Sequence, residues 1–252
     1  MSVNTSYWFL SIGGAVATVA FLFLSGWPLG KHPESAKLAL WAAGISFAHS
    51  FMGSMLLEEF GWYQRTDGVE YNYMRGIVFV LSALVVTSFA ATLLWLETVL
   101  GWALVLLGTL SVTALIGMGL STGANVWWWL GLCTTIPGFA AIYIQFFHAQ
   151  AVHSKLKSQG QKIFCWIWSI GAAVTFGLFA LNQLLAPEGN NNYDIQVREW
   201  FDMALSFAIL LVLFLGVFIY EPVPAALVQE GYGPIPGQAV GVEGNKTEAK
   251  TS

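Results

Sequence analysis

The sequence predicts an all-α protein: a seven-transmembrane-helix bundle with the N-terminus outside and the C-terminus cytoplasmic. Three observations carry this. Of the 252 residues, 56% are hydrophobic and only 10% are charged, against about 25% charged in an ordinary soluble domain. Seven apolar runs of spanning length lie at roughly 5–27, 36–57, 73–96, 98–120, 126–148, 162–186 and 197–220, and about 20 helical residues cross the hydrocarbon of a bilayer. The seven lysines, Lys31, Lys37, Lys155, Lys157, Lys162, Lys246 and Lys250, fall in or at the edges of the first and fifth connections or in the tail. Because cytoplasmic loops are rich in basic residues, those segments are expected inside the cell.

The first run has no basic stretch before it and no small-residue cleavage site after it, so it reads as a retained helix. The outer connection "EEFGWYQRTDGVEYNY" is expected to form a small hairpin turning at Asp67-Gly68. The outer side is the acidic one, with Glu58, Glu59, Asp67, Glu70, Glu188, Asp194, Glu199 and Asp202. Past Tyr220 the chain turns to proline, glycine and polar residues, which divides it into a membrane domain over 1–220 and a disordered cytoplasmic tail over 221–252. The absence of a repeat argues against the inverted halves of a transporter.

Composition also excludes function classes. A net charge of −4, with no basic cluster beyond "KLKSQGQK", offers nothing to nucleic acid, and membrane lipids are the expected surroundings. No GxSxG, HExxH, CxxC or P-loop occurs, so neither an enzyme nor a metal site is indicated. Cys133 and Cys165 sit inside apolar runs and read as small hydrophobes.

Ionisable side chains within membrane helices are costly to bury and therefore mark candidate sites. Arg75 and Asp202 stand at similar depth near the outer starts of the third and seventh runs, where they either pair across the bundle or reach separately to the headgroups. His49 falls mid-helix in "ISFAHSFMGSMLL" with Ser46, Ser50 and Gly53 at helical spacing. It reads either as a neutral imidazole bonding a neighbouring helix or as a proton-handling or ligand-contacting group. His148 ends the fifth run and is expected to be solvated at the cytoplasmic boundary.

In order, the segments "SMLL", "YNYMRG", "IGMGLSTGA", "VWWWLGLCTT" and "WIWSIGAA" resemble the microbial (type 1) rhodopsins, over nearly the whole chain up to Tyr220. Arg75 looks like that family's arginine near the Schiff base, and Trp168 resembles a pocket tryptophan. The resemblance implies a retinal site, and its departures carry the argument. The family attaches retinal to a lysine in the seventh helix; the corresponding position here is Ser206 or Leu210, depending on the frame, and neither has an amine. The carboxylates of the proton relay correspond to Val78 and Phe89, with Ser82 between them. The pocket tryptophan, tyrosine and proline correspond to Phe79, Gly171 and Ala172.

These losses imply a non-photochemical opsin-like protein acting as a structural, scaffold or chaperone-like partner of other membrane proteins. No covalent cofactor is expected. Two alternatives remain open: a passive ion or proton pathway through His49, Arg75 and Asp202, and a noncovalent binder of retinal, a carotenoid or a lipid in the emptied pocket. Family resemblance further implies a homo-oligomer, a trimer or a pentamer.

Overall fold

In a medium without water, each backbone N–H and C=O must be paired within its own segment, and so each apolar run becomes one helix. The computed structural model describes residues 3–26, 33–64, 70–94, 96, 98–120, 124–153, 159–185 and 195–219. Among them are α1 (Val3–Gly26), α2 (Pro33–Leu57), α3 (Tyr73–Leu93), α4 (Thr98–Leu120), α5 (Ala124–His153), α6 (Gln159–Leu185) and α7 (Ile195–Ile219). Six are long and apolar enough to cross a membrane, and α6 carries a shorter apolar stretch, Cys165–Leu178. Between α2 and α3, β1 (Trp62–Gln64) pairs antiparallel with β2 (Glu70–Asn72), Tyr63 opposite Tyr71. The expected turn at Asp67-Gly68 and the expected tail at 221–252 lie outside the described residues.

The helices close into a ring in chain order, each packed on the next and α7 returning to α1, while α2 and α3 also meet α7 across the middle. The distribution of polarity is that of a membrane protein. Large apolar side chains such as Trp8, Val16, Val19, Trp128 and Trp129 face outward, whereas Ser46, His49, Arg75, Ser82, Ser111 and Ser206 are buried. A soluble domain would show the reverse. The main core joins Phe21, Phe89, Trp168, Leu210 and Leu213 near the half of the bundle away from the hairpin.

The tightest helix pair is α1 with α2. A Cβ on Gly14 would stand 2.6 Å from the backbone nitrogen of Ser50, and one on Gly53 would stand 2.6 Å from that of Ser11. Two glycines thus bring the backbones together, and serines fasten them: Ser50 Oγ donates to the Ser11 carbonyl at 2.7 Å, and the hydroxyls of Ser11 and Ser54 meet at 2.8 Å. Small residues and hydroxyls are what hold helices together where lipid removes most of the hydrophobic driving force.

His148 departs from its expected place. It is buried, lying edge-on to Phe147 with ring centroids 5.8 Å apart. The reason is helix length: α5 continues to His153, so His148 lies within the helix rather than at its end.

Candidate functional site

At the hairpin end, the start of α3 is fixed by one residue. Asn72 ends β2 and caps α3: its side-chain oxygen accepts from the Arg75 backbone N–H at 3.2 Å, and its Nδ2 donates to the Phe60 carbonyl at 3.0 Å. Side-chain capping of this kind satisfies a backbone donor that the first helical turn leaves open. The cap sets Arg75 on the first turn of α3, pointing into the bundle and only 1% exposed.

Two carboxylates from α7 meet it. Arg75 Nε lies 3.1 Å from Asp202 Oδ2, and Arg75 Nη2 is hydrogen-bonded to Glu199 Oε2. Glu199 and Asp202 are three residues apart and therefore share a helix face. Both are buried, and Glu199 is the member that the sequence reading missed, having placed it only among the acids of the outer side. One guanidinium facing two carboxylates leaves the fully ionised cluster one charge short of neutral. Its second acid is thus not required for simple pairing.

Deeper in the bundle, His49 Nε2 on α2 lies 2.9 Å from Ser82 Oγ on α3. Ser82 donates its single proton to the Val78 carbonyl at 2.8 Å, so the imidazole is the donor in the His49–Ser82 bond and carries its proton on Nε2. That leaves His49 Nδ1 as a buried acceptor without a hydrogen bond. Phe79 packs edge-on against the ring, with centroids 6.1 Å apart. The geometry is that of a helix–helix bond made by a neutral histidine. His49 does not reach the Arg75 cluster through any ion pair of the described residues.

The two α7 positions that the sequence reading expects at a retinal attachment point, Ser206 and Leu210, are both occupied by local interactions. Ser206 is fully buried and donates to the Asp202 carbonyl at 2.8 Å; Leu210 packs into the main core beside Trp168 and Phe89. Val78 packs with Tyr7, Leu10, Met52 and Leu56, facing α1 and α2. Phe89 is completely buried in the main core. The two residues expected at relay positions, Val78 and Phe89, are therefore both engaged in apolar packing.

A cavity of about 110 Å³ lies among α3, α4, α5, α6 and α7. Of the pocket residues singled out from sequence, Phe79 and Ser82 line it; Trp168 and Gly171 do not, and the Ala172 side chain lies outside the described residues. Among the described residues, the wall takes Thr175 and Phe176 from α6, one turn nearer the hairpin end, and Leu205 and Ile209 from α7. Each of those α7 residues precedes Ser206 or Leu210 by one position, a rotation of about 100° around the helix. Gln145 of α5, which sequence reasoning did not single out, also lines the cavity. It had no signal there beyond being a lone amide in an aromatic run.

No protein-family model matches the sequence, and no curated protein matches it. Solved structures do. The light-driven proton pump of Coccomyxa subellipsoidea superposes with a TM-score of 0.71 at 15% identity, over 87% of this chain and 96% of that one. The light-driven proton pump of Leptosphaeria maculans gives 0.74 at 12% identity, over 86% and 93%. The thermophilic rhodopsin of Rubrobacter xylanophilus gives 0.70 at 14% identity, over 86% and 98%. The chain therefore has the microbial-rhodopsin fold and is a multi-pass integral membrane protein.

Proposed function

We propose that this microbial-rhodopsin fold serves as a light-independent membrane protein, a structural or chaperone-like partner of other membrane proteins, with no covalently bound chromophore. The observation that carries this reading is α7 itself. It contains no lysine, and a Schiff base cannot form without a primary amine. Ser206 and Leu210 are committed to a helix hydrogen bond and to core packing. Val78 and Phe89 cannot exchange protons, which leaves Arg75, Glu199 and Asp202 as a structural ion cluster linking α3 to α7.

Passive conduction has weaker support. The hydroxyls of Ser46, Ser82, Ser88, Thr92, Ser169 and Ser206 each donate to the carbonyl four residues back on their own helix. Hydroxyls engaged in this way satisfy themselves within the helix and offer little to a passing ion. The partner reading is tested by purifying the protein from its native membrane in mild detergent. A second membrane protein in stoichiometric amount is the expected result. Light-dependent proton flux from vesicles holding the unmodified protein would overturn the whole reading.

A further inference from the structure

The cavity wall contains a buried polar group that apolar filling leaves unsatisfied. Among its polar lining residues, Ser82 is engaged by His49 and the Val78 carbonyl, and Thr87 donates to the Ala83 carbonyl at 2.7 Å. Gln145 differs: it is 6% exposed, and its Oε1 accepts no hydrogen bond. A buried acceptor in that state costs free energy that a donor supplied from within the cavity would recover. Apart from Thr175, the rest of the wall, including Val86, Val112, Ala141, Ile142 and Phe176, is apolar. Such a wall holds water poorly and holds a hydrocarbon well.

Volume limits the occupant. An apolar cavity of about 150 Å³ accommodates benzene, so 110 Å³ suits a single ring or a short branched chain. A full-length polyene is too long for it as it stands. We propose that this cavity is a noncovalent binding site for a compact apolar alcohol or phenol whose hydroxyl bonds the Gln145 side-chain amide. A hydroxyl suits that amide in either orientation, because it donates to the oxygen and accepts from the nitrogen. The site uses residues outside the Arg75 cluster and outside the attachment positions, so it stands whether or not the protein acts as a membrane partner.

Phenol and benzene test the assignment, since they share a ring and differ by one hydroxyl. Each is titrated into the purified full-length chain in lipid nanodiscs, with empty nanodiscs as the partition control, and bound ligand is followed by saturation-transfer NMR. Saturable binding of both is expected, with phenol about tenfold tighter than benzene, the discrimination one hydrogen bond supplies. In Gln145→Met the phenol preference should fall to within twofold of benzene while benzene binding is retained. Filling the cavity with Ala83→Leu should abolish both. Equal affinities in the unmodified protein, or no saturable signal above empty nanodiscs, would overturn the proposal. So would a phenol preference that survives Gln145→Met. Because the first comparison needs no variant, a misfolded mutant leaves the outcome decided.

Discussion

Arg75 is held between two acids of another helix, and its removal exposes how the cluster is stabilised. Replacing it by methionine strands Glu199 and Asp202 together in a buried site, and breaking a buried ion network from one side costs about 3–5 kcal/mol. Arg75→Met should therefore lower the thermal unfolding midpoint in detergent more than a triple variant in which all three members are made apolar. Equal midpoints for Arg75→Met and the unmodified protein would show that the cluster contributes nothing. A milder effect belongs to His49. A double-mutant cycle with His49→Ala and Ser82→Ala should give a coupling of about 0.6 kcal/mol, the average for interhelical hydrogen bonds in membrane proteins, and no more than about 1.7 kcal/mol. A coupling of zero would remove the assigned bond. The Arg75–Asp202 approach was legible because both residues are charged, opposite in sign and at matching depth. Glu199 was not, because an acid at a helix start looks solvated until the partner that buries it, far away in sequence, is placed beside it.

At the scale of elements, the seven helices were legible because a run of about 20 apolar residues has few other fates. The α6 contribution to the cavity was not. Helical rotation turns an error of a few positions into a different face, and the resemblance used to align α6 named Trp168 and Gly171 where, among the described residues, the wall takes Thr175 and Phe176. The α1–α2 contact yields a sharper expectation. Gly53→Val drives a branched side chain into the α1 backbone, and overpacking of this kind costs about 1–3 kcal/mol. Valine at Gly44, where no neighbour lies within reach of a Cβ, should be close to neutral. Unfolding midpoints of the two variants check this, and a harmless Gly53→Val would mean that the helices are farther apart than described. For α7, Ser206→Lys and Leu210→Lys distinguish the two frames of the retinal alignment. Whichever variant acquires a retinal band sensitive to hydroxylamine marks the attachment position, and neither should move protons in light, because Val78 cannot receive one.

For the molecule as a whole, added all-trans retinal should leave the unmodified protein without a red-shifted band that survives denaturation. The lysines among the described residues, Lys37 and Lys162, lie in the opening turns of α2 and α6, at the ends away from the hairpin. Absorbance after acid quenching checks this, and a retained protonated Schiff base would show that an amine does reach the interior. The paired strands are also tied to the helix ring through Asn72. Asn72 belongs at once to the strand, to the cap of α3 and, through Phe60, to the chain leaving α2. Tension applied to the hairpin is therefore delivered to the first turn of α3, and from there through Arg75 into α7. Anything that gripped β1 and β2 would take hold of a handle attached to three helices.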